Sequence, residues 1–267
     1  MLRFRYWIFL IVFIYTSKLM AKHNAVFLCY GKIPVEEITN YEYVILEASH
    51  YSASEIAILK QHNQFLLAYI SLGEFNKYTS FYDKAKNHKL PGMNKNWNSF
   101  YLDLSKQTLH EVLLEDVKEK ILMKGFHGLF LDNIDNYCSF GEQKKQQHYL
   151  ISLLQSIRKK FPTIHLMQNA GSEILDITNK LINSVAFESV ITNYNFAKGI
   201  YRLRNEENYK EKTSYLKTIQ EKYTLPFIII EYAERKKDAR KIVRKLKKYD
   251  WHLFIGQIDL QNKPFFK

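Results

Sequence analysis

The stretch Gly125-Phe126-His127-Gly128-Leu129-Phe130-Leu131-Asp132-Asn133-Ile134-Asp135 holds the pattern on which the fold turns. Gly128 to Leu131 is an apolar run of strand length, and it gives way at once to a carboxylate and a polar segment. Upstream, Leu109, Val112, Leu113, Val117 and Ile121 recur at helical spacing, with Thr108 and Glu111 as a capping box at the start and Gly125 as the stop. Downstream, Tyr149, Leu150, Leu153, Leu154 and Ile157 make another helical stripe, which ends at Pro162. A buried strand between two amphipathic helices is the repeating unit of a parallel α/β protein.

Working outward, further short runs rich in Val, Ile, Leu, Phe and Tyr read as strands: Val26 to Tyr30, Tyr43 to Leu46, Phe65 to Ile70, Ile164 to Met167, Val185 to Phe187, Phe227 to Ile230 and Leu253 to Ile255. Ser52 with Glu55 forms a second capping box between two of them. Eight strands over residues 22–267 suit a single-domain (β/α)8 TIM barrel, which typically takes about 250 residues. The rival, a doubly wound open sheet, would normally carry a nucleotide motif, and neither G-x-G-x-x-G nor a Walker A sequence occurs. The third unit carries a long insertion, Leu72 to Ser105, with an extra strand expected at Phe100 to Leu104. Long loops at such positions usually serve function.

Composition narrows the class. With 46% hydrophobic residues the chain can bury a large core, and it has neither internal repeats nor low-complexity tracts. Residues 1–21 read as a secretory signal peptide: Arg3 and Arg5 precede an apolar run from Tyr6 to Tyr15, and cleavage is expected after Ala21. That run is about half of the ~20 residues a membrane span needs, although Leu19 in the cleavage site leaves an uncleaved anchor as the alternative. The expected location is secreted or periplasmic. Of the net charge of +12, three charges belong to the leader, leaving +9, and much of the excess lies in residues 234–248. There, Ala239, Ile242, Val243 and Leu246 at helical spacing mark an amphipathic helix that docks by its apolar side and could touch an anionic envelope surface by its basic one. Nucleic acid is not an expected partner. Cys29 and Cys138 are too few for a disulfide scaffold; buried free thiols are the expected state, and a single bridge across the barrel mouth is the alternative.

Polar residues follow the strand runs: Glu47, Glu74, Asp132, Gln168, Glu188, Glu231 and Gln257. Barrel active sites are built at those ends. Five carboxylates there would repel one another unless something used them. Three chemistries compete: glycoside hydrolysis by two carboxylates, divalent-metal binding, and recognition of a cationic ligand without catalysis. His110-Glu111 begins like a zinc motif, but Leu114 stands where the second His belongs. A serine nucleophile lacks its G-x-S-x-G turn.

Tyr69-Ile70-Ser71-Leu72-Gly73-Glu74, the segment from Gly125 to Tyr137 with its Asp132-Asn133-Ile134-Asp135, Phe187-Glu188-Ser189, and Phe227 to Tyr232 together resemble the endo-α-1,4-polygalactosaminidase-like glycoside hydrolases, family 114. The resemblance covers nearly the whole mature chain. It implies a (β/α)8 barrel that cleaves an α-1,4-linked galactosamine-containing polysaccharide, with catalytic carboxylates at Asp132 and Glu188 and acidic cleft positions at Glu74, Asp135 and Glu231. Asn136 stands where polysaccharide-cleaving members often have Gly, and Ser189-Val190 replaces a more polar stretch; these departures bear on substrate more than on fold.

The chemistry of the residues points the same way. Asp132, in a polar segment with Asn133 and Asp135, suits the ionised partner, and Glu188, between Phe187 and Val190, suits the acid with a raised pKa. Aromatic faces for sugar rings are available at Tyr30, Tyr69, Tyr78, Tyr82, Trp97, Tyr137, Tyr194 and Tyr232. Gln168, Asn169 and Gln257 could bind hydroxyls, beside Asn133 and the acidic positions as substrate contacts. No metal or cofactor is required by this reading. The alternative is a catalytically silent carbohydrate-binding barrel of the cell envelope.

Overall fold

Side chains along a strand alternate between two faces, and here the alternation separates two cores. The computed structural model describes residues 24–267. Its eight barrel strands are β1 (Asn24–Cys29), β2 (Tyr41–Leu46), β3 (Phe65–Ser71), β4 (Gly128–Asp132), β5 (His165–Asn169), β6 (Ser184–Glu188), β7 (Phe227–Tyr232) and β8 (His252–Gly256). All pair in parallel and in chain order. One parity, including Leu28, Ile45, Leu67, Phe130, Met167, Ala186, Ile230 and Phe254, fills the barrel interior. The other, including Phe27, Val44, Leu66, Leu129, Leu166, Val185 and Ile229, packs outward under the helices. The expected barrel and all eight of its strands are present.

The covering layer is uneven. Helices Ala53–His62, Gln107–Asp116, Gln147–Lys160, Glu206–Lys222 and Lys236–Leu246 cover most crossovers. The β1–β2 connection has only a 3-10 turn at Val35–Glu37, and β5–β6 only a 3-10 turn at Ser172–Ile174 running into the short helix Leu175–Thr178. The Ser52/Glu55 capping box is formed. Thr108 is not a cap: its helix starts at Gln107 and leaves Thr108 inside the first turn. That helix runs on through a π turn, Val117–Ile121, to Gly125 in the left-handed region. In the basic helix Ala239, Ile242 and Leu246 are buried, whereas Val243 is half exposed on the charged side.

The barrel is closed at a seam between β8 and β1, which lie side by side. Beyond β8 the chain crosses over β1, and the Tyr30 N–H donates to the Leu260 carbonyl at 2.6 Å. Gly31 is needed for this approach, because a Cβ there would stand 1.9 Å from the Gln261 carbonyl oxygen. Two insertions rise at the carboxyl ends of the strands. The expected one after β3 holds a three-stranded antiparallel sheet, with Ser99–Leu102 between Glu74–Phe75 and Lys89–Asn94. The second, a hairpin of Thr192–Asn195 with Ile200–Leu203 after β6, was not expected from the sequence. Cys29 and Cys138 are buried free thiols. The expected signal segment lies outside the described residues, among which no helix is long and apolar enough to cross a membrane.

Candidate active site

β4, β5 and β6 each bring an inward-facing polar residue to the mouth of the barrel: Asp132, Asn169 and Glu188. The Asn169 amide donates to both carboxylates, at 2.8 Å to Asp132 Oδ1 and 2.6 Å to Glu188 Oε1. Because the two contacts share one nitrogen, these oxygens are no farther apart than the sum, 5.4 Å. The outer oxygens are held by phenols: Tyr69 donates to Asp132 Oδ2 at 3.0 Å and Tyr232 to Glu188 Oε2 at 2.6 Å. Tyr30 packs its ring on Tyr69, with centroids 4.4 Å apart.

The backbone stops each of these strands in the same way. Asn133, Ala170 and Ser189, the residues directly after the three polar groups, lie in the left-handed region with φ of 60°, 58° and 53°. Non-glycine residues pay roughly 1–2 kcal/mol there, and such strain concentrates at sites the surrounding structure over-determines. The turn at Asn133 is fastened by Ser71, whose hydroxyl donates to Asn133 Oδ1 at 2.6 Å and accepts from the Glu74 N–H at 2.8 Å.

Burial dominates the electrostatics. It pushes Glu188 up from 4.5 to about 7, with the Asp132 charge adding to the effect and the Tyr232 and Asn169 donors opposing it. Asp132 is raised too, but Asn169, its neighbouring backbone and Tyr69 all favour its ionised form. Asp135 is pushed to about 6 by burial and then by Asp132. No ion pair among the described residues reaches Asp132, Asp135 or Glu188. The phenols of Tyr30, Tyr69 and Tyr232 are held well above their ordinary range by burial and these carboxylates, so they stay protonated donors.

These groups open into a cleft of about 1210 Å³, lined also by Glu47, Glu74, Asn133, Asp135 and residues of both insertions. That exceeds the ~300–1,000 Å³ of a small-molecule pocket and leaves room for several sugar units. Glu74 is buried, and its carboxylate accepts from Ser99, from Asn94 at 3.2 and 3.3 Å, and from Asn136 at 3.1 Å, tying the first insertion to the β4 loop. Tyr78, Trp97 and Tyr194 line the cleft; Tyr82 and Tyr137 do not, and the Tyr137 hydroxyl donates to the Leu72 carbonyl at 2.7 Å.

Three expected contacts face the other way. Glu231 points outward under the β6 hairpin, accepting from the Ile191 N–H at 2.6 Å, the Thr192 N–H at 2.9 Å and the Thr192 hydroxyl at 2.5 Å. Gln168 donates to the Ala170 and Gly171 carbonyls, and Gln257 ties Ala233 to Phe265. Each sits one position from an inward-facing residue, so of the five expected strand-end carboxylates Glu231 is turned away and Glu47, Glu74, Asp132 and Glu188 line the cleft. Residues missed were Ser71, whose role is fastening, and Phe196, an exposed ring in the unexpected hairpin. Among the described residues no group of three or more His, Cys, Asp or Glu side chains is placed to hold a metal ion. His110 Nε2 instead lies 2.8 Å from the Leu104 carbonyl.

A parallel barrel with polar side chains gathered at the carboxyl ends of its strands is an architecture on which enzymes build active sites. The chain belongs to glycoside-hydrolase family GH114, whose sequence model matches residues 19–263. Its fold is similar to the glycoside hydrolase domain of PelA from Pseudomonas aeruginosa, with 26% identity, a TM-score of 0.78, and coverage of 89% of this chain and 96% of that one. It also resembles Aspergillus fumigatus Ega3, solved in complex with galactosamine, at 15% identity and a TM-score of 0.70 over 92% of this chain and 95% of that one. An uncharacterized protein of Methanocaldococcus jannaschii is 26% identical over 57% of this chain and 51% of its own length, so the chain spans about half of that relative.

Proposed function

We propose that this protein, once exported to the periplasm or medium, hydrolyses α-1,4 linkages in a galactosamine-containing polysaccharide with retention of anomeric configuration. The observation that carries the mechanism is the Asn169 bridge, which holds the carboxylate oxygens within 5.4 Å of each other. Retaining enzymes space their carboxyl groups by about 5–5.5 Å, inverting ones by about 6.5–9.5 Å. Asp132, favoured as the anion by three donors, attacks the anomeric carbon. Glu188, protonated near neutrality, gives its proton to the departing glycosidic oxygen. A glycosyl ester on Asp132 results. Glu188, now ionised, takes a proton from water, whose oxygen displaces Asp132 and restores both groups.

The substrate class rests on family membership, on galactosamine in the related Ega3 structure, and on a cleft whose acidic lining suits protonated amines. The basic outer face of Lys236–Leu246 supports loose attachment to an anionic envelope surface. Proton NMR of galactosamine oligomers during cleavage should show the new reducing end first as the α-anomer, and Asp132→Asn and Glu188→Gln should each lose at least about 10²-fold in rate. First appearance of the β-anomer refutes retention, and wild type that binds oligomers without cutting them establishes the silent barrel. N-terminal sequencing of protein recovered from the medium or periplasm should begin near Lys22.

A further inference from the structure

Four aromatic rings form a connected row across the mouth of the barrel, and the proposed chemistry uses none of them. The row starts beyond β8, where the Ile258 N–H donates to the Tyr201 hydroxyl at 3.0 Å. Tyr201 packs on Tyr194 with centroids 4.8 Å apart, and Tyr194 meets Phe196 edge-on at 5.0 Å. Phe196 then meets Trp97, which comes from the other insertion, edge-on at 5.5 Å. The loops that follow β3 and β6 are thus linked ring to ring, and the segment after β8 joins them through its Ile258 N–H. Trp97, Tyr194 and Phe196 line the cleft, yet Trp97 is 48% and Phe196 43% exposed. Large apolar rings held in fixed contact and left open to water mark a binding surface.

We infer that Trp97, Phe196 and Tyr194 form a distal subsite where pyranose rings of the polymer stack, several units from the bond being cut, so that the enzyme prefers long chains. The rings are continuous with the catalytic cleft, which places the same polymer on them, and their flat apolar faces match the C–H faces of sugar rings. The hairpin after β6 sets the geometry: Glu231 anchors its base through Ile191 and Thr192, and Tyr201 anchors its return strand. This inference rests on the polysaccharide reading above.

The test compares kcat/KM for a galactosamine trimer with that for oligomers of six or more units. Trp97→Ala and Phe196→Ala should each lower the long-to-short ratio about two- to tenfold, as expected for one lost aromatic contact, while Trp97→Phe, which keeps a ring face, should retain most of the preference. Equal losses at every length would make the rings structural and overturn the subsite. A second readout does not need turnover. Of the two tryptophans among the described residues, Trp251 lies before β8 at the opposite end of the barrel, donating to Gln220. Titrating Asp132→Asn protein with long oligomers should therefore change emission from Trp97, and the change should vanish in Trp97→Phe. Unchanged emission in a protein whose wild type cuts the oligomers overturns the subsite. Saturable emission change without cleavage by wild type keeps the subsite and removes the hydrolase, whereas neither signal removes both.

Discussion

Replacing Glu188 with Gln should stabilise the fold in alkaline solution and weaken it slightly in acid. Glu188 is displaced upward from 4.5 to about 7. Between those values the folded protein binds more protons than the unfolded chain, so stability falls as pH rises through the window. At about 1.4 kcal/mol per pH unit of displacement, the ionised side chain costs the fold about 3 kcal/mol above pH 7. Gln carries no charge and avoids that cost. It also sets an amide N–H group against the donors around Glu188, Asn169 on one oxygen and Tyr232 on the other, and a lost hydrogen bond is worth about 1 kcal/mol. The balance is about 2 kcal/mol of stabilisation at pH 8.5, or roughly 4–8 °C in Tm for a domain of this size. Near pH 4, where Glu188 is protonated folded or unfolded, only the lost hydrogen bond remains and the variant should melt slightly below wild type. Thermal unfolding at the two pH values decides the matter. A difference of the same sign and size at both would refute the account of Glu188 as a buried acid held against its tendency to ionise.

The remaining expectations concern the neighbours of the pair. The pH profile of kcat/KM should be bell-shaped, its alkaline limb set by Glu188 near 7 and its acid limb by Asp132, above the ordinary aspartate value. Tyr232→Phe removes a donor that favours ionised Glu188, so the alkaline limb should move to higher pH; a downward move would show that the phenol acts otherwise. Glu231→Gln should lose about 1–3 kcal/mol by opposing the N–H groups of Ile191 and Thr192, and calorimetry should show the loss while the alkaline limb stays in place.

The barrel was legible because its strands are the apolar runs themselves, closed by polar residues. The site was legible less completely, for one geometric reason. Gln168 and Glu231 follow the apolar runs directly, but β5 and β7 continue past those runs and alternation turns both outward; Gln257 lies just beyond β8, after Gly256, on the same outward parity. Asn169 and Tyr232, one residue further on, share the inward parity of Met167 and Ile230. Counting in twos from each core residue would have separated the two sets. The hairpin after β6 escaped notice because its strands are short and polar, although Tyr194 and Tyr201 flank a turn at Gly199 with φ of 62°. Thr108 misled because a cap motif set two residues past the true cap position, Lys106, reads like one at the helix start.

The seam between β8 and β1 also governs when the fold can be completed. The hydrogen bond from Tyr30 to Leu260 joins residues about 230 positions apart in sequence, so the β8-facing side of β1 cannot be secured until nearly all of the barrel has left the ribosome. Closure over such a span is entropically expensive and slow. During synthesis the nascent chain therefore stays without a locked barrel, and the native enclosure forms only after Leu260 has emerged.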